Sequence, residues 1–167
     1  MQGAKIKIDN VDDLLVDILG VPDNAIAEEQ WWLDTTKLFA DAIAAAKDIL
    51  VIDASSDRFN DGHPYLQICY EDDGAMTIEA VSSKFLDPGL SLDAQNTLAE
   101  LGWQFTNEEK SPNYFQFLHT EEADPKIVAE LFNRTFRTVY GITPSDTIEI
   151  SMGKGIWPSE SEEVEHE

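Results

Sequence analysis

Cations are scarce in this chain. Eleven Lys and Arg stand against 33 Asp and Glu, a formal net charge of −22 over 167 residues. Nucleic acids and anionic membranes are held chiefly by Lys and Arg, so this balance argues against both as partners. It favours basic partners, although solvation alone accounts for most surpluses of this kind. Cysteine is rarer still. Cys69 stands alone, which excludes an intramolecular disulfide and a cysteine metal cluster. No apolar run approaches the ~18 residues of a membrane-spanning helix. The opening Met-Gln-Gly-Ala-Lys-Ile-Lys has no apolar signal-peptide core behind its lysines. A cytoplasmic location is the expectation.

Against these absences, 43% of residues are hydrophobic and 10% aromatic, enough for a globular domain with a real core. Asn10 can cap a short helix from Val11 to Leu19 that ends on Gly20. Leu38, Phe39, Ala42, Ile43 and Ala46 fall at helical spacing and predict a longer helix over 35–48. The period then changes to two. Ile49 to Ile52, Tyr65 to Tyr70 and Met76 to Val81 read as strands, the last two joined by an Asp72-Asp73-Gly74 reversal. Ser91 caps a helix to Leu101, Gly102 stops it, and two strands follow, from Trp103 to Phe105 and from Tyr114 to His119. Asp124 and Pro125 open a last helix whose Val128, Leu131, Phe132, Phe136, Val139 and Tyr140 form one apolar stripe closed by Gly141. A short strand over 147–152 ends the ordered pattern. Hairpins dominate, so the expected fold is α+β, an antiparallel β-sheet packed against helices.

Chemistry-bearing patterns do not assemble. His63 lies in a polar turn, His119 at a strand end and His166 in an acidic stretch, with no His-x-x-x-His pair and no Gly-x-Ser-x-Gly elbow. Asp57, Asp61 and His63 share a turn, but their spacing fits neither an EF-hand loop nor a common zinc pattern, and turn residues explain them better. Gly153-Lys154-Gly155 lacks the earlier glycine and the Ser or Thr of a phosphate loop. Cys69 has no histidine near it in sequence and reads as packing. No cofactor, metal or catalytic residue is expected.

Four local patterns do carry a signal. They are the hairpin through Asp72-Asp73-Gly74 into Thr77 to Leu86, Leu98-Ala99-Glu100-Leu101-Gly102-Trp103, Ser111-Pro112-Asn113-Tyr114-Phe115, and the helix from Ile127 through Tyr140-Gly141-Ile142 with Pro144 beyond. In order and spacing, the stretch from Tyr65 to Ile150 resembles the type III secretion chaperone-like (YbjN-like) domain family. That resemblance implies a non-enzymatic, peptide-binding chaperone or adaptor with a polypeptide client, often working as a homodimer. With it, the chain divides into an N-terminal helical extension (1–30), an α+β chaperone-like domain (31–156) and an acidic disordered tail (157–167).

Aromatics at strand ends offer large contact area at low entropic cost, which makes Phe85, Trp103, Tyr114 and Phe115 candidate peptide contacts. Each taken singly is more often core. Trp31 and Trp32 join them, because helix neighbours point apart and one should stay partly exposed. On that reading, replacing both with Ala weakens client binding at little cost in stability. Two other readings stand beside this one: an acidic inhibitor or nucleic-acid mimic blocking a basic surface, and an enzyme of unrecognised type.

Overall fold

The computed structural model describes residues 4–8, 15–18, 25–105 and 113–153. The elements run β1 (Ala4–Ile8), β2 (Leu15–Ile18), α1 (Ala25–Ala45), β3 (Ile49–Ser55), β4 (Tyr65–Tyr70), β5 (Met76–Ala80), α2 (Leu92–Glu100), β6 (Gln104–Phe105), β7 (Tyr114–Leu118), α3 (Pro125–Arg134) and β8 (Thr147–Gly153). The strands form one eight-stranded sheet in the order β2-β1-β8-β3-β4-β5-β7-β6. From β8 to β6 every pairing is antiparallel. Only β1 joins β8 in parallel. This is the α+β architecture expected from hairpins and helix stops.

The differences lie at the N-terminal end. In place of a helix over 11–19, Leu15–Ile18 is strand β2, paired antiparallel with β1. Leu-Val-Asp-Ile is as compatible with a strand as with a helix, and neighbouring β1 supplies backbone partners that decide between them. Residues 11–14 and the acidic stretch 157–167 lie outside the described residues. Helix α1 starts at Ala25, ten positions before the expected Thr35, because Trp31 and Trp32 extend its buried stripe toward the N-terminus.

Trp31 and Trp32 are therefore core, at 2% and 0% exposure, which overturns the expectation that one of them stays open. Adjacent helix residues sit about 100° apart, and the buried arc of α1 is wider than that. It holds Trp31, Thr35 and Ala42 along one side, continued by Ala46 just past the helix end, and Trp32, Thr36, Phe39 and Ile43 along the other. The two indoles meet edge to face at 4.8 Å. Arg137 lies over the Trp32 ring at 5.2 Å and pairs with Glu29 at 3.1 Å, closing the solvent side.

Helix α3 packs beside α1. Asn133 donates to Thr36 Oγ1 at 2.6 Å, and that hydroxyl donates to the Trp32 carbonyl at 2.7 Å, while Trp31 Nε1, Trp32 Nε1 and Thr35 Oγ1 on α1 are buried with no hydrogen-bond partner. Past Arg134 the helix widens into a π-turn over Thr135–Val139. Trp103 donates its indole N–H to Thr135 Oγ1 at 3.1 Å. Tyr140, fully buried, donates to the Val81 carbonyl at 2.6 Å, while its own carbonyl accepts from Arg58 at 2.6 Å.

The four sequence patterns turn out to be sites where the layers are fastened. In Leu-Gly-Trp, Gly102 takes a φ of +97°, which lets the Trp103 N–H return to the Leu98 carbonyl at 3.0 Å and aims the chain into β6. In Pro-Asn-Tyr-Phe, Asn113 accepts from the Ser82 backbone N–H and donates to the Tyr65 hydroxyl.

Candidate functional site

Side chains alternate along a strand, so register divides the sheet into two faces. Leu50 and Ile52 on β3, Leu66 and Ile68 on β4, and Ile78 and Ala80 on β5 lie opposite one another and are fully buried. Their face carries the helices: Tyr70, in phase with Leu66 and Ile68, donates to the Ile43 carbonyl of α1 at 2.7 Å. Gln116, on the same face of β7, donates to the Leu101 carbonyl at the end of α2.

The opposite face has no helix against it among the described residues. Cross-strand register sorts it into rows. One row runs Glu149, Asp53, Tyr65 across β8, β3 and β4. The next runs Ser151, Val51, Gln67, Glu79, Phe115 and Gln104 from β8 to β6. A third runs Ile49, Cys69, Thr77 and Phe117. Phe117 is 47% exposed and stacks edge to face with His119 at 4.9 Å. Val51, Tyr65, Cys69 and Phe115 are half-buried. The face is thus apolar and aromatic on β7, mixed on β3, where Ile49 and Val51 stand beside Asp53, and polar on β8.

From β3 to β8 the charge on this face has one sign, with Lys7 of β1 in register beside Glu149 at its edge. No strand from β3 to β8 contains Lys or Arg, whereas Asp53, Glu79 and Glu149 all fall on the open side. Glu79 accepts from Asn113 at 3.4 Å. Asp53 Oδ1 is buried with no hydrogen-bond partner. Burial pushes its carboxyl above the ordinary 3.8, opposed by His63 and reinforced by Glu149. Burial also raises the Tyr65 hydroxyl and the Cys69 thiol. A half-buried thiol held protonated is a poor nucleophile, in keeping with a packing role for Cys69.

Of the sequence candidates, Phe115 alone lies on this face. Trp31, Trp32, Trp103 and Tyr114 are buried on the helix side. Each has a structural task that accounts for it: Trp103 binds Thr135, and Tyr114 stacks on Phe105 at 4.8 Å. Trp103 and Tyr114 turn inward because the helix layer covers their phase. Phe85 is 44% exposed, but in a short 3-10 turn away from the strands. Sequence reading missed Phe117 and Asp53. The alternation Phe115-Gln116-Phe117 was sufficient to place the second phenylalanine beside the first. Asp53 carried no such signal, since its neighbours come from distant strands.

Other concavities lie among the described residues. A polar pocket of about 410 Å³ at the β3 and β8 ends is lined by Asp57, Asp61, His63 and Asp146. Ser55 Oγ and His63 Nδ1 approach to 3.4 Å there, an exposed contact at the outer limit of a hydrogen bond. Among the described residues no group of three or more His, Cys, Asp or Glu is placed to hold a metal ion. A groove of about 510 Å³ between α1 and α3 is lined by Leu33, Ala40 and Ala129 with Lys37, Asp41 and Lys126 at its rim. No helix among the described residues is long and apolar enough to cross a membrane.

The described residues thus form a helix-backed antiparallel sheet whose other face carries aromatic and acidic side chains, an arrangement suited to a binding module. The chain belongs to the T3SS (YopN, CesT) and YbjN peptide-binding chaperone 3 family, whose model it matches over residues 25–151. No curated protein and no solved structure matches it significantly.

Proposed function

We propose that this protein is a chaperone or adaptor that holds a polypeptide client on the open face of its sheet, without performing chemistry on it. The observation that carries this reading is the pair Phe115 and Phe117. Both sit on a face with no helix against it among the described residues, and Phe117 is half exposed. Membership of a peptide-binding chaperone family supports a polypeptide as the ligand. Apolar side chains on a rigid sheet can take up alternate residues of an extended segment, and aromatics give such contacts at low entropic cost.

The test uses labelled peptides tiled across bacterial proteins, read by fluorescence polarisation. The double variant Phe115→Ser/Phe117→Ser should lose at least about tenfold in affinity for the best binders, with its melting temperature nearly unchanged. Leu33→Ser, in the groove between α1 and α3, should bind as the parent does. Loss of binding in the Leu33 variant with full binding by the double variant would move the site to the helix layer and overturn the proposal.

A further inference from the structure

We infer that β1, with β2 behind it, is a cap built into this chain that keeps the β8 edge from pairing with the β8 edge of a second copy.

Strand order is the first observation. The stretch that matches the family, 25–151, supplies β3 to β7 and most of β8, and among these strands β8 ends the sheet. β1 and β2 lie outside that stretch and carry the sheet past β8. At the far end stands β6, two residues long, and so short an edge offers little to another chain. β8 has seven residues, and its alternating Ile148 and Ile150 are fully buried. A strand of that length and pattern is a template for pairing when it is left at an edge.

Backbone direction agrees. The Tyr70 N–H donates to the Asp48 carbonyl at 3.0 Å and the Ala54 N–H to the Pro64 carbonyl at 2.8 Å, so even-numbered residues of β3 turn toward β4. Odd-numbered ones turn toward β8, where they meet Thr147, Glu149, Ser151 and Gly153. Ile148 and Ile150 therefore turn their N–H and C=O groups away from β3, and β1 is the strand on that side.

Sequence suits β1 to this place. Ile6 and Ile8 stand in register with Ile148 and Ile150, and Lys7 with Glu149. On its other side Lys5 stands in register with Asp17 of β2. Among the described strands only β1 carries Lys or Arg, so two of the chain's eleven cations are placed on the cap. The hold is light all the same. β1 meets β8 over three positions and in parallel, the weaker ladder per residue. It prevails because it belongs to the same chain and competes at a high effective concentration.

The occupant it excludes follows from β8 itself. Turned antiparallel about Ile150, two copies of the strand set Ile150 opposite Ile150, Ile148 opposite Met152 and Glu149 opposite Ser151. Apolar residues meet apolar ones and no carboxylate faces another, which makes the pair self-complementary. Opposed residues share a face in such a pair, so the open faces of the two copies join side by side.

Sedimentation velocity of the full-length chain reads the outcome. Lys7→Pro takes a ladder N–H out of β1 together with the cation in register with Glu149. At micromolar concentration it should sediment at twice the parent's mass, with faster amide exchange in β1. Lys5→Glu/Lys7→Glu, a milder change, should shift the mass in the same direction, and it decides alone if Lys7→Pro unfolds the domain. Ser151→Glu added to either uncapping variant sets like charges opposite each other twice and should weaken the assembly about tenfold. Ser151→Lys in its place should tighten it by a similar factor. Unchanged mass with fast exchange in β1 overturns self-pairing at β8. Unchanged mass with parent-like exchange in both uncapping variants shows that β1 does not detach, and overturns the cap. A doubled mass indifferent to both Ser151 changes places the contact elsewhere and overturns the β8 register.

Discussion

At Trp32 the balance between packing and exposure is settled by burial on every side. The ring is wholly buried, touches Trp31 edge to face and lies under Arg137. Trp32→Ala should destabilise the fold by about 3–5 kcal/mol, the range for emptying a large aromatic site, as urea unfolding would measure. A loss under ~1 kcal/mol would mean that the ring is not part of the core. Asp53 behaves in the opposite sense. Its carboxyl is raised in the folded chain, so the fold favours the protonated form and the ionised form weakens it at neutral pH. Below the ordinary 3.8 the group is protonated in both states and the penalty is gone. Asp53→Asn should therefore raise the melting temperature at pH 7 by a few degrees, with the gain vanishing as the pH falls through that value. Unchanged melting at both pH values would show that the carboxylate has found a partner.

Elements are joined by a few buried hydrogen bonds whose loss is measurable. Trp103 ties the start of β6 to the π-turn after α3, through its indole N–H and Thr135 Oγ1. Trp103→Phe and Thr135→Val should each cost about 1–3 kcal/mol, and the double variant should show a coupling of about 1 kcal/mol. Additive losses would mean that the two positions act independently. This scale was also the most legible in the sequence. Ser91, Gly102, Asp124 and Pro125 mark helix ends by local rules, and the helix over 92–100 and the hairpin at Gly74 follow from residues within a few positions of each other. Leu15–Ile18 was not legible in that way, because four residues suit either state and only β1 decides. The site was read less well than the fold. Local pattern nominated Trp31, Trp32, Trp103 and Tyr114 as aromatics, but which of them face outward depends on where the helix layer falls. Phe115 was nominated on the same ground, as an aromatic at a strand end, and it is the register that puts it on the open face.

In the whole molecule the surplus of acid is distributed unevenly in kind. The described cations with a placed side chain, among them Lys37, Arg58, Lys126 and Arg137, belong to helices and loops, while the strands from β3 to β8 carry carboxylates alone. A net charge of −22 first suggested little beyond solubility, yet the register gives part of it an address on one face. The same molecule is held together over long stretches of chain. Tyr140 reaches Val81 through its hydroxyl and Arg58 through its carbonyl, partners separated from it by 59 and 82 positions. Such a junction closes late. A growing chain that has made β3 to β5 already presents Arg58 and Val81, but both wait until α3 and its π-turn arrive. Until then the aliphatic face of the sheet, with Leu50, Ile52, Leu66, Ile68 and Ile78, lacks α3 above it, so during its own synthesis this member of a peptide-binding chaperone family passes through a stage in which it is itself an exposed, unprotected strand surface.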